Sequence, residues 1–316
     1  TNSAATINAT GGVPTKSREN ADNWVVGTAT QYHTVQDHAK LKVAYDFSGT
    51  LRASYTLGYW NNHSDGTPNP YLRDASGRPV YYGVVNVGGT KYDIKNTDFT
   101  ASQDTLTHVM HGLSLKTNTQ GVFDWELTAS AYTLAQDESR KTGANTNNYA
   151  LNTSSTGASL VDQNGTGWRN AAAKGTWRPQ GAQGEHIVDF GYQQDRYSLR
   201  ILTSGLQANA GDWLSSPVGA MTSDVGGNTQ THSVYVQDAW KLGAQWKTVL
   251  GLRAEHWRAD GGYTTAKINN MMSTKAQAER VETYFSPKLA LSYQWTPALV
   301  VKASTGRAVR FPTVSE

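Results

Sequence analysis

The sequence predicts an all-β protein, an antiparallel up-and-down transmembrane β-barrel, and three observations carry that prediction. Apolar and polar residues alternate strictly over several runs. Short and long connections alternate between the runs, and aromatic residues gather at the ends of the runs. Composition agrees. Charged residues are 17% of the 316-residue chain, below the roughly 25% of a soluble domain. Gly (30), Tyr (16) and Trp (10) are abundant instead. A net charge of only +3 speaks against binding driven by phosphate charge, so nucleic acid is not expected as a partner. The chain has no Cys, which excludes disulfides, thiolate metal sites and a Cys nucleophile. No run of about 18 apolar residues exists to form a transmembrane helix, which leaves strands as the means of crossing a membrane. Thr1 stands where a Met would start a gene, with no signal-type segment behind it. The chain therefore reads as a mature protein or an excised piece.

Each element follows from its pattern. Leu51, Ala53, Tyr55, Leu57 and Tyr59 are apolar or aromatic, and Arg52, Ser54, Thr56 and Gly58 fall between them. Period two is a strand; helical spacing cannot produce it. Leu41, Val43, Tyr45 and Phe47 repeat the pattern against Lys40, Lys42, Ala44 and Asp46, with only Ser48, Gly49 and Thr50 between the runs. That is a tight hairpin. Val109, Leu113 and Leu115 lead across a turn at 118–121 to Phe123, Trp125, Leu127, Ala129 and Ala131, which alternate with Asp124, Glu126, Thr128 and Ser130. Trp246, Leu250, Leu252 and Ala254 alternate with Lys247, Gly251, Arg253 and Glu255, and Phe285, Leu289, Leu291, Tyr293 and Trp295 form a further run. Less regular strands fall at 167–178, 186–200, 229–241 and 299–311, giving about ten strands of roughly 10–14 residues.

Short turns are expected near 48–50, 118–121, 179–185, 242–245 and 296–298, and long polar loops at about 61–101, 138–166, 201–228 and 260–281. Outer-membrane barrels sort their connections in this way, with short turns on one rim and long loops on the other. Ten residues rising about 3.3 Å each, tilted about 40°, cover roughly 25 Å, the height of the apolar band. Trp and Tyr at the strand ends suit the membrane–water interface. The charges on the alternate face suit a wet lumen, and Arg52, Glu126, Lys247, Arg253 and Glu255 are the lumen-facing candidates. Arg253 and Glu255 read as an ion-pair ladder rather than a binding site.

From Val234 onward the text becomes more specific. VYVQDAWKL, WKTVLGLRAEHW, YFSPKLALSYQW and VVKASTGRAVRFPTVSE follow one another at hairpin spacing. In this order they resemble the barrel of TonB-dependent outer-membrane receptors, of the ferric-siderophore-receptor kind. The matching positions are Gln237, Asp238, Trp240, Gly251, Arg253, Ser286, Pro287, Lys288, Gly306, Arg307, Arg310, Pro312, Thr313 and Glu316. Their roles read as structural. Arg310 and Pro312 are expected to set a strand exit, since Pro removes a donor and stops pairing. The resemblance implies a 22-stranded barrel with a plug domain and an energy-coupling box. Neither plug nor box is visible, and the chain stops in mid-motif. Residues 1–316 are thus expected to be an internal fragment of a single barrel domain, starting and ending at extracellular loops, without the plug and the C-terminal strands. By itself such an open sheet leaves edge groups unsatisfied in lipid.

The resemblance also implies the outer membrane of a Gram-negative bacterium, surrounding outer-membrane lipid, TonB as the energy-coupling partner acting through the plug, and a ferric siderophore or similar ligand. No catalytic constellation, P-loop or dinucleotide fingerprint is present, so an enzyme is not expected, nor a cofactor or a resident metal. His108 and His111 are three apart on a strand and face opposite sides. Ligand contacts are sought in the loop at 61–101, where Tyr71, Arg73, Arg78, Tyr81 and Tyr82 supply charge and ring faces for an anionic chelate. The competing reading is a loop that packs on its neighbours. Energy-coupled uptake is the leading function. A passive porin-like barrel and a soluble carbohydrate-binding module are the alternatives, separated by the parent gene's upstream sequence and by solubility without detergent.

Overall fold

The computed structural model describes residues 6–269 and 271–314; Glu316 of the matched motif lies outside them. Strands make up the regular structure of the described residues. They are β1 (Ile7–Asn8), β2 (Val13–Lys16), β3 (Asp22–Val25), β4 (Gly27–Asp46), β5 (Leu51–Pro70), β6 (Gly83–Val87), β7 (Thr90–Ile94) and β8 (Ser102–Thr117). There follow β9 (Phe123–Lys141), β10 (Ser159–Asp162), β11 (Gly167–Trp177), β12 (His186–Leu206), β13 (Val218–Leu242), β14 (Trp246–Ile268), β15 (Met271–Ala276), β16 (Arg280–Thr296) and β17 (Leu299–Gly306).

One large antiparallel sheet runs β4, β5, β8, β9, then β11 and β10, then β12, β13, β14, β16 and β17. β10 and β11 lie end to end between β9 and β12, so they fill one position. The meander has ten positions, as the periodicity predicts. Its five short connections share one rim and its long ones share the other. Among the described residues β4 and β17 each pair on one side only, and the sheet is open.

Register divides the sheet into two faces. Opposite partners share a face, so Arg52, Lys116, Glu126, Lys174, Gly191, Tyr235, Arg253 and Ser286 form one continuous polar row. Lys247 and Glu255 join it by alternation along β14. The neighbouring row on the opposite face is Ala53, Leu115, Leu127, Ala173, Tyr192, Val234, Ala254 and Phe285. Its large members stand open to the surroundings: Leu127, Val234 and Phe285 are exposed. A soluble sheet does not leave a contiguous apolar face uncovered. Toward the short-turn rim that face becomes aromatic, with Tyr45 edge-on to Phe47, Phe123 stacked on Phe190, and Trp246 at 4.5 Å from Tyr293.

The strands are longer than the alternation indicates. β13 has 25 residues and β12 has 21, against the 10–14 expected. Above the apolar band both faces meet water, so alternation is no longer required and Thr-, Ser-, Asn- and Gly-rich sequence continues the ladder unmarked. The segment at 138–166 likewise holds β10, 260–281 holds β15, and 61–101 holds the hairpin of β6 and β7. At the far end, β17 stops at Gly306 rather than at 311. Beyond it Phe311 stacks on Trp257 at 5.8 Å and packs on Tyr284, so the chain folds back over the polar face.

The true cores lie outside the apolar band. Ala9, Leu72, Val80, Val85, Val87, Ile94 and Phe99 form one cluster on the long-loop side, joined by Trp24 and Tyr149. Ala101, Ala158, Leu160, Leu206 and Trp213 form a second. The long loops are packed structure, not free coil.

Candidate functional site

On the polar face, a cluster occupies the upper part of the wall. His108 contacts the Tyr132 hydroxyl through Nδ1 at 2.7 Å and Asp137 Oδ2 through Nε2 at 2.8 Å. Trp60, its cross-strand neighbour, lies 4.8 Å from the imidazole. Trp168 stacks on Tyr132 at 6.0 Å and 9°. The cluster spans four strands: β5, β8, β9 and β11. A bulge at Ala135, where Thr107 pairs with Gln136 and His108 with Leu134, turns Asp137 onto the same face as His108. His111 faces the other way and meets the Tyr55 hydroxyl at 2.8 Å, as their odd separation requires. The alternation pattern does not reveal this cluster, because its members lie far apart in sequence and only register joins them.

Farther round the face, Arg253 reaches Glu255 at 3.0 Å, the Ser233 hydroxyl at 2.8 Å and Gln193 at 3.3 Å. Ser286 donates to the other oxygen of Glu255. Arg253 and Glu255 thus form one ion pair, extended by neutral amide and hydroxyl partners. Glu126 accepts from Ser114 at 3.4 Å, and Arg52 lies 3.8 Å from Asp46 at the rim.

The five loop residues do not converge. Arg73 donates to the carbonyls of Pro70 and Leu72, and its backbone bonds twice to Thr10. Arg78 pairs with Asp74 at 2.7 Å and lies over the Tyr149 ring at 3.8 Å. Tyr81 and Tyr82 pack on the first core, and Tyr71 meets Thr28 by its hydroxyl. Of the two arginines, only Arg78 is exposed. Burial by itself would push the Asp74 carboxyl up; the amides of Arg78 and Ser76 and the Arg78 guanidinium outweigh it and hold the pKa below its ordinary value.

The residues singled out near the C-terminus carry local structure. Asp238 accepts from His186 at 2.7 Å, and that ring stacks on Trp240 at 5.1 Å. Gln237 meets Lys288 at 3.5 Å and is the cross-strand partner of Gly251. The carbonyl of Pro287 accepts from the Arg307 amide, one residue past Gly306. Arg310 and Pro312 lie beyond the last strand, in the segment that folds back.

A family model described as TonB dependent receptor-like, beta-barrel, matches residues 43–316. The chain belongs to that family. Among solved structures, this receptor barrel is similar to the ferric citrate transporter FecA in its unliganded form, at 13% identity with a TM-score of 0.34. The likeness covers 92% of this chain and 46% of that one, so the chain spans about half the length of that transporter. No curated protein matches the sequence. The sheet described above is therefore receptor-barrel wall. Its polar side carries the His108 cluster and the Arg253–Glu255 pair, and its long-loop side carries a packed head.

Proposed function

We propose that the chain is part of an energy-coupled receptor in the outer membrane of a Gram-negative bacterium, taking up a ferric siderophore. The observation that carries the reading is the two-faced register: within a chain of this family, one face is apolar across every strand and the other is a polar wall. The apolar face meets outer-membrane lipid. The polar face, with Arg52, Glu126, Lys247, Arg253 and Glu255, lines the lumen, and the ten strands are one stretch of a larger barrel.

The ligand enters from the long-loop side. Trp60, Tyr132 and Trp168 offer ring faces for the aromatic or planar parts of a chelate, and His108, held by Tyr132 and Asp137, positions Tyr132 among them. Arg78 and Tyr149 supply a cation and a ring on the head above. Arg73 fixes the loop rather than touching the ligand, because its guanidinium is spent on carbonyls. Transport past this wall needs TonB acting through a plug.

The test is uptake of radiolabelled ferric siderophores by iron-starved cells that express the full-length receptor, with and without functional TonB. Uptake of one chelate that is lost without TonB supports the reading. Equal flux in both strains identifies a passive pore instead. Trp60→Ala and Arg78→Ala should each weaken chelate binding at least severalfold, while Arg73→Ala should act through loop order.

A further inference from the structure

The apolar face ends upward in two arginines that have no counter-charge. Arg169 on β11 and Arg196 on β12 are direct cross-strand partners. Both are exposed, and alternation places them on the apolar face, on the same strands as Ala171, Ala173, Phe190 and Tyr192. Like charges directly opposite one another destabilise a sheet. The arginines around them are neutralised: Arg200 lies 4.0 Å from Asp162, and Arg258 is within 3.2 Å of Asp260 and 2.9 Å of Glu279. Neither Arg169 nor Arg196 has an ion pair or a side-chain hydrogen bond among the described residues.

Height fixes what they meet. Arg169 stands eight residues above Trp177 and Arg196 ten above His186, which is about 20–25 Å along the membrane normal at a tilt of about 40°. That is the upper border of the apolar band, the level of lipid headgroups. A hollow of about 330 Å³ opens there, lined by Thr133, Gly165, Gly167, Arg169, Arg196 and Ser198. Gly167 lets β11 come close to β9 at its edge, since a Cβ there would strike the Tyr132 carbonyl. The Thr133 hydroxyl is a free donor; Ser198 already donates to Asn228. Below the arginines, Ala129, Ala131, Ala171 and Ala173 give a smooth strip on which an acyl chain can lie.

We propose that Arg169 and Arg196 bind the phosphate of a phosphorylated outer-leaflet lipid, with Thr133 as a third donor and the acyl chains on the alanine strip beneath. Guanidiniums suit this task because each presents a planar fork to phosphate oxygens. The anion also relieves the repulsion between the two cations. The placement rests on the apolar face being the lipid face, but the test does not depend on which ligand the receptor transports.

The full-length receptor, purified in a non-ionic detergent, is titrated with diphosphoryl lipid A, with its dephosphorylated form and with inorganic phosphate, and bound lipid is counted by native mass spectrometry. One saturable lipid A is expected on the wild type, with at least tenfold weaker binding for the dephosphorylated form. Arg169→Gln/Arg196→Gln should lose at least tenfold in affinity for lipid A. The single Arg169→Gln keeps the proposal falsifiable if the double variant misfolds. Its Tm should be above wild type in lipid-free detergent, where repulsion is relieved, and should gain less from lipid A. Unchanged lipid A binding in the variants would overturn the proposal. So would inorganic phosphate binding as tightly as lipid A, which would make this a free-anion site.

Discussion

Leu113→Arg and Ser114→Arg place the same cation on opposite faces of β8, one residue apart. Leu113 is 56% exposed on the apolar face, between Tyr55 and Ala129. Four residues above the end of β8 at Thr117, it stands about 10 Å along the normal, near the middle of a band about 25 Å tall. An arginine at that depth costs about 2–4 kcal/mol, which is about 30- to 900-fold in the folding equilibrium. Ser114 faces the polar side with its hydroxyl 3.4 Å from Glu126. An arginine there gains a carboxylate neighbour and stays in water, so its effect should be within about 0.5 kcal/mol. The assay is urea unfolding of the full-length receptor in lipid vesicles, read by Trp fluorescence and by the gel shift of the folded barrel. Equal costs for the two variants, or a larger cost at Ser114, would refute the assignment of the faces.

Arg253→Ala should destabilise by about 1–3 kcal/mol, because it leaves the buried Ser233 hydroxyl and one side of Glu255 without a donor; Arg253→Ala/Glu255→Ala should cost less than the sum of the two single changes, as a double-mutant cycle will read. The head should respond to acid through Asp74. Its carboxyl is depressed in the folded state, so its contribution is fully present above the unfolded value of about 4 and is lost as pH falls through the folded value. Protection of the amides across 72–80, measured against their intrinsic exchange rates, should therefore fall below about pH 4, and Asp74→Asn should flatten that dependence.

How much of this was legible in the sequence depends on what each residue answers to. Leu51 to Tyr59 and Leu250 to Ala254 answer to lipid on one side and water on the other, so alternation marks them plainly, and the two faces follow. The upper reaches of β5, β12 and β13 have water on both sides. Nothing there forces alternation, and tracts such as 61–70 and 218–228 read as loop although they lie in the ladder, with bulges. The His108 cluster was hidden for a different reason. It depends on a one-residue bulge at Ala135 that changes the parity of β9, and no local pattern announces it. Among the loop candidates, the sequence displays charges and rings but not their partners: Asp74 takes up Arg78, and two carbonyls take up Arg73. Phe311 and its neighbours read as continued strand, yet an aromatic ring on Trp257 holds them off the ladder.

The most direct test of the two-faced wall is a spin-label scan along β14. The 316 residues contain no Cys, so single cysteines at successive positions from 249 to 256 add one label each against an unreactive stretch. With the full-length receptor in lipid vesicles, collision with oxygen should peak at positions 250, 252 and 254, and collision with a water-soluble nickel chelate at 251, 253 and 255. The two profiles should alternate with period two and opposite phase. Profiles that rise and fall together, or oxygen maxima at Gly251, Arg253 and Glu255, would contradict the account.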